Sequence, residues 1–187
     1  MNYFETIRCD DYEIFNLQYH EKRISRTIGK NFNLQEYIYP PTSQLLKCKV
    51  IYNEDEIIDV SFTPYFKKNI SKLKVIFDDK IKYKFKYENR DSLNELYKQK
   101  DTADDIIIIQ NNLITDTTIA NIAILIDNIW VTPKTPLLYG TTRQKYIDMN
   151  RLKELDIDLE TFKKAKKIAL LNAMIDFDIL NDFYIII

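Results

Sequence analysis

Only two glycines occur in the 187 residues, Gly29 and Gly140. Loops of the G-x-G-x-x-G or G-x-x-x-x-G-K kind need several glycines close together, because only a residue without a Cβ lets the backbone wrap so tightly around a phosphate. The usual dinucleotide-binding fold and the P-loop NTPases are therefore both excluded. His20 is the single histidine, which removes mechanisms built on a His pair and metal sites built on three. Cys9 and Cys48 each lack a second Cys or His at ligand spacing, so no metal site and no disulfide framework is expected. A reducing cytoplasm fits this cysteine usage. Any catalysis has to draw on lysine, arginine, carboxylates or a bound cofactor.

The remaining composition is that of an ordinary soluble chain. Lys+Arg number 27 against 28 Asp+Glu, for a formal net charge of −1, with 29% charged and 45% hydrophobic residues. No overall basic field attracts nucleic acid. Residues 1–5 lack a basic segment followed by an apolar stretch, and the apolar runs at 106–109 and 185–187 are far short of a membrane span. Neither secretion nor membrane insertion is expected. At ~150 residues per domain, the length admits one domain or two small ones sharing a core.

Patterning predicts an α+β chain, mostly antiparallel sheet with short helices. Residues 3–9 and 12–15, separated by Asp10-Asp11, read as a hairpin. Leu17, Ile24 and Ile28 share a helical face over 17–28, and Gly29 stops that helix. Runs at 45–52, 56–63 and 72–77 predict a small antiparallel sheet. Over 81–87, Ile81, Tyr83, Phe85 and Tyr87 alternate with Lys80, Lys82, Lys84 and Lys86, the period of a strand with one cationic face. A helix over 91–100, a buried strand over 106–109 and strand segments at 113–114, 119–126 and 129–131 follow, with turns at Asn111-Asn112 and Asp127-Asn128. Short helices over 143–149 and 158–164 and a strand over 167–177 complete the reading. The softest boundary is Asp78-Asp79, which divides a small N-terminal α+β subdomain, 1–78, from a larger sheet-rich subdomain, 79–187, packed closely on it.

Several short motifs follow one another along the chain. They are Phe4-Glu5-Thr6-Ile7-Arg8, His20-x-x-Arg23, a lysine before Asn89-Arg90, Asn111-x-Leu113-Ile114-Thr115-Asp116-Thr117 with Ala120-Asn121-Ile122, Trp130-x-Thr132-Pro133, and Pro136-Leu137-Leu138-x-Gly140-Thr141-Thr142-Arg143. In this order they resemble the class IV aminotransferase family of pyridoxal-phosphate enzymes, which holds branched-chain and D-amino-acid aminotransferases and aminodeoxychorismate lyases. The resemblance spans Phe4 to about Phe177. Its most specific parts are the threonine-acid block followed by Ala-Asn and the Pro-Leu-Leu-x-Gly-Thr-Thr-Arg block. It implies the fold type IV, D-amino-acid aminotransferase-like architecture and pyridoxal 5'-phosphate as cofactor.

That cofactor needs a lysine for its aldehyde, an acid at its pyridine nitrogen, a phosphate cup and a wall that orients substrate. In the aminodeoxychorismate lyase pattern the lysine lies three residues before the Asn, which marks Lys86 as the catalytic lysine. Lys84 shares its face as the register alternative, and a solvated cationic face is the alternative to both. Asp116 stands where the family carries an acid, usually Glu, against the pyridine nitrogen; a turn acid is its plainer reading. Thr117 beside it joins the same cofactor-binding set. For the phosphate the resemblance implies Arg23, Thr142, the Thr141 backbone and Asn172, with Gly140 allowing close backbone approach and a helix start near Arg143 adding its dipole. The competing readings are a solvated helix charge for Arg23 and a cap or turn for Asn172. Arg90 lies where related enzymes put a residue near the cofactor's phenolic oxygen. The resemblance implies that Arg8 meets a substrate carboxylate; the competing reading is an ion pair with Asp10 or Asp11 at the hairpin end. His20 orders local structure next to Arg23.

The resemblance implies a cytoplasmic lyase most like aminodeoxychorismate lyase, releasing pyruvate and forming 4-aminobenzoate for folate synthesis from a small amino substrate. An amino-acid aminotransferase, of branched-chain or D-amino-acid type, is the alternative within enzymes. A cofactor-free binding or assembly module on the same fold is the alternative outside them. A length of 187 residues is short for this family, which implies trimmed early connections and a homodimer whose partner closes the cofactor cleft.

Overall fold

The computed structural model describes residues 1–187, which divide into two compact units, Met1–Lys67 with Phe85–Asn89, and Lys68–Lys84 with Arg90–Ile187. In the first unit β1 (Tyr3–Asp10) pairs antiparallel with β2 (Glu13–Ile14) and with β3 (Leu46–Tyr52), and β3 pairs with β4 (Ile57–Pro64). Alternation along β1 turns Tyr3, Glu5, Ile7 and Cys9 to one side, and β3 adds Leu46, Cys48, Val50 and Tyr52. Ile24 of α1 (Leu17–Ile28) closes this core with Leu34, from a single 3-10 turn, and Ile38. Helix α1 ends at Gly29, whose φ of 73° lets its N–H turn back to Ser25 O. Residues 85–88 lie along β1: Phe4 N–H donates to Lys86 O (2.9 Å) and Glu88 N–H to Asn2 O (3.0 Å).

In the second unit β5 (Lys72–Phe77) runs parallel to β6 (Asp105–Gln110), with α2 (Asp91–Lys98) between them in the chain. The sheet continues antiparallel through β7 (Leu113–Thr117), β8 (Asn121–Ile126) and β9 (Ile129–Pro133). After α3 (Thr141–Asp148) come β10 (Lys153–Leu155), parallel to β9, and α4 (Leu159–Lys163), capped by the Asp158 carboxylate. Then β11 (Lys167–Asn172) pairs with β8 and with β12 (Asp176–Ile179), and β13 (Tyr184–Ile186) runs parallel to β5. Ile107, Ile109, Ile114, Ile122, Ile124 and Ile168 form the core on one side. Ala123, Ala169 and Leu171 meet Leu152 on the other, so β8 and β11 are buried on both faces and read as continuous apolar runs.

Scarce glycine shapes the turns. Nine of the ten non-glycine residues with positive φ are Asn or Asp, whose short polar side chains tolerate the left-handed region. Asn111-Asn112 and Asp127-Asn128 both have two positive φ values, the two-residue turn that matches strand twist.

The mixed α+β, mostly sheet architecture is as expected, and some elements differ. β5 does not join β3 and β4: Leu73 and Val75 are buried, and its partner is β6, a parallel pairing no hairpin announces. Residues 81–87 form no strand. Ile81 and Tyr83 are buried and Lys82 and Lys84 exposed, as the alternation predicts, but the chain changes unit at Lys84/Phe85 and only a Tyr3–Tyr87 bridge remains. The strand expected over 167–177 is split into β11 and β12, because Asn172 turns the chain there. No helix is long and apolar enough to cross a membrane.

Candidate active site

The inward face of β1 places Glu5 between Tyr3 and Ile7, where a carboxylate has no water and requires partners. Helix α1 supplies them from His20 and Arg23, three residues apart and so on one face. His20 Nδ1 lies 2.6 Å from Glu5 Oε2, Arg23 Nε donates to Oε1 at 2.8 Å, and Arg23 Nη2 donates to Oε2. Glu5 and His20 are fully buried and the Arg23 side chain is 12% exposed. Burial alone would raise the Glu5 carboxyl, but the Arg23 charge and the His20 hydrogen bond outweigh it and hold it at about 2. Burial pushes His20 down, against the pull of Glu5, so the neutral ring serves as an Nδ1–H donor to Glu5. Arg23 is thus no solvated helix charge; it is locked. Glu5 escaped the sequence reading, and its signal was an acid at an inward position of an alternating strand.

Lys86 lies over the other face of β1, its Nζ 4.5 Å from the centroid of the Phe4 ring, which also has Lys49 Nζ at 5.5 Å. Lys86 is half-buried and Lys84 is exposed. Arg8, four residues along the same face from Phe4, forms the hairpin-end ion pair with Asp10 (2.6 Å) and stacks over Phe15.

In the second unit, the end of β7 and the start of β8 set Asp116 opposite Asn121. Asp116 Oδ1 accepts from Asn121 Nδ2 (2.6 Å) and Oδ2 from Leu138 N–H (2.8 Å), while Asn121 Nδ2 also donates to Leu138 O (2.8 Å). A Cβ at Gly140 would lie 1.9 Å from Asn121 Oδ1. Gly140 therefore makes room for the side chain that orients Asp116, where backbone approach to a phosphate was expected. Burial lifts the Asp116 carboxyl to about 7, against the Leu138 and Asn121 hydrogen bonds and the Arg143 charge. Helix α3 begins one residue after Gly140, and no side chain caps its first N–H groups. Thr142, 2% exposed, has its hydroxyl buried without a partner there. Arg143, 1% exposed, pins the helix by donating to Pro133 O (2.8 Å) and Glu154 (2.6 Å).

Three further predicted residues converge on the turn between β7 and β8. The Thr117 hydroxyl is bound within that turn, donating to Ala120 O (3.2 Å) and accepting from Ala120 N–H (3.0 Å). Arg90 Nη2 donates to Thr118 O (2.5 Å). Asn172 Nδ2 donates to Ile119 O (3.2 Å), while its Oδ1 accepts from Met174 and Ile175 N–H, the turn role weighed above. Arg8, Arg23 and Lys86 thus belong to one unit, and Arg90, Asp116, Thr117, Thr141, Thr142 and Asn172 to the other.

Residues 86–177 match the profile of the amino-transferase class IV family. An uncharacterized protein of Haemophilus influenzae is 33% identical over 182 residues, 91% of this chain and 96% of that one. A Haemophilus somnus crystal structure, provisionally named a 4-amino-4-deoxychorismate lyase, is 30% identical with a TM-score of 0.86, covering 92% of this chain and 96% of its own. A structure from Mesorhizobium loti, provisionally named an amino-acid aminotransferase, is 16% identical with a TM-score of 0.80 over 99% of both chains, a likeness of fold.

Proposed function

This chain belongs to the amino-transferase class IV family of pyridoxal-phosphate enzymes, and on that premise we propose that it is a lyase converting 4-amino-4-deoxychorismate to 4-aminobenzoate and pyruvate for folate synthesis. The observation that carries the substrate class is the 30% identity to the Haemophilus somnus structure over nine-tenths of both chains, together with the Lys86-x-x-Asn89 spacing. In this reading the protein works in the cytoplasm as a homodimer, its two buried cysteines free thiols.

The residues fit the cofactor on their own chemistry. Thr142 presents a buried hydroxyl without a partner at an uncapped helix start, which suits a phosphate. Asp116 presents a carboxyl in a dry, fixed setting, which suits a pyridine nitrogen. When bound, pyridoxal phosphate supplies an electron sink conjugated to the amino-bearing carbon of the substrate. Lys86 would hold it through the aldehyde and, once released by the substrate amine, take the proton from that carbon at Nζ. Asp116 would keep a proton on the ring nitrogen through a charge-assisted hydrogen bond. Thr142 and the Thr141 N–H would hold the phosphate, and Arg23, steadied by Glu5, is the further phosphate ligand that the family likeness implies. Loss of the carbon-bound proton and departure of the enolpyruvyl oxygen leave an aromatic ring, and protonation of the enol gives pyruvate, so atoms balance.

The test is to reconstitute the protein with pyridoxal phosphate and follow 4-amino-4-deoxychorismate. Equal amounts of 4-aminobenzoate and pyruvate are expected. Glutamate formed from 2-oxoglutarate and an amino donor, with no 4-aminobenzoate, would make it an aminotransferase. Colourless protein that takes up no cofactor would leave only the binding module.

A further inference from the structure

Asp105 opens β6 and is 1% exposed. Its Oδ1 accepts from Ile106 N–H (2.8 Å) and the Thr118 hydroxyl (2.6 Å), while Oδ2 is buried with no partner. Burial raises its pKa against those hydrogen bonds. A desolvated carboxylate oxygen without a partner opposes folding. Asp105 is therefore a poor device for stability, and what it holds becomes the question.

It holds the turn of residues 117–120, which is fixed from several directions. The Thr117 hydroxyl braces it from within, and Asp105 grips the Thr118 hydroxyl. Arg90 Nη2 binds Thr118 O and Asn172 Nδ2 binds Ile119 O. The residues on either side of this turn are Asp116 and Asn121, whose 2.6 Å side-chain hydrogen bond closes it at the base. A change in the turn's shape alters how those two side chains meet, because the turn joins the strand that ends in Asp116 and Thr117 to the one that begins at Asn121. We infer that Asp105, acting through the Thr118 hydroxyl, is a positioning residue that holds the Asp116 carboxyl in place. The purpose of that placement rests on the proposed cofactor role of Asp116, but the placement itself is measurable without cofactor. Two buried acids then act in series: Asp105 sets the turn, and the turn sets Asp116.

Thr118→Val removes the hydroxyl at nearly constant volume, and Thr118→Ser keeps it. Carboxyl carbon NMR of the protein without added cofactor follows Asp116, assigned through the resonance lost in Asp116→Asn. The wild type and Thr118→Ser should titrate at about 7. Thr118→Val should titrate lower by about one pH unit, as water reaches the carboxyl. Affinity for pyridoxal phosphate, read from absorbance, should fall about tenfold in the Val variant and recover in the Ser variant, which is about 1.4 kcal/mol. An unchanged Asp116 titration with unchanged affinity in Thr118→Val overturns the inference. A shifted titration in a protein that binds no pyridoxal phosphate upholds the positioning and sinks the cofactor reading instead. Should Thr118→Val fail to fold, Thr118→Ala carries the same measurement. It too lacks the hydroxyl that Asp105 accepts from, so Asp116 should shift, and an unshifted Asp116 overturns the inference there too.

Discussion

Glu5 and Asp116 are both buried carboxyls, yet ion pairing holds the first at about 2 while burial lifts the second to about 7. Their effects on stability have opposite signs. Glu5 is depressed below its unfolded value of 4.5, so its contribution is present above that value and is lost as pH falls towards 2, by roughly 3 kcal/mol. Asp116 is raised above its unfolded value of 3.8, so the folded state keeps a proton the unfolded chain releases, and stability falls as pH rises from about 4 to about 7. From these two groups denaturant unfolding should show a maximum near pH 4. Glu5→Gln should flatten the acid limb, and Asp116→Asn should flatten the decline above pH 4; an Asn variant with the wild-type decline would assign that limb elsewhere. In the loaded enzyme, Asp116→Asn should keep the cofactor but slow turnover roughly 30- to 1000-fold, the loss of ~2 to 4 kcal/mol of transition-state stabilisation. Full turnover would leave Asp116 a turn acid. Gly140→Ala should cost about 1 to 3 kcal/mol, since its methyl displaces Asn121 Oδ1, and thermal unfolding reads it.

At the scale of elements, the turns carry the cost of a chain with so little glycine. Tyr12 is the one left-handed residue that is neither Asn, Asp nor Gly, at φ 65° and 60% exposed. Tyr12→Asn should stabilise the protein by about 1 kcal/mol in thermal melts, because a bulky side chain is strained there and its exposed ring gains little from burial. Elements with local signals were legible in sequence: α1 has apolar residues on one face and a glycine stop, and β5 has a compact run with its bounds correctly placed. Partners were not. β5 joins β6 across 27 intervening residues, and β10 and β13 are three-residue strands too short to show a period. The same divide applies to the site. Motif order pointed to Asp116, Thr142 and Arg23, but the work of Glu5, Asn121 and Asp105 depends on which strand face each occupies and what lies opposite. In sequence Asp105 only precedes the buried run at 106–109, and only the fold brings Thr118 to it.

At the scale of the whole molecule, the chain enters the first unit, leaves it at Lys67, returns for Phe85–Asn89 and leaves again. That return makes Lys86 a member of the unit that holds Arg23, Glu5 and His20, while Asp116, Thr142 and Asp105 belong to the other. The family likeness extends over both, at 92% of the chain for the Haemophilus somnus structure. The most direct test is to load the protein with pyridoxal phosphate, reduce it with borohydride and map the modified lysine by mass spectrometry. A single adduct at Lys86, with Lys86→Ala taking up no reducible cofactor, is the expected result. An adduct at Lys84, labelling scattered over surface lysines, or none at all would contradict it.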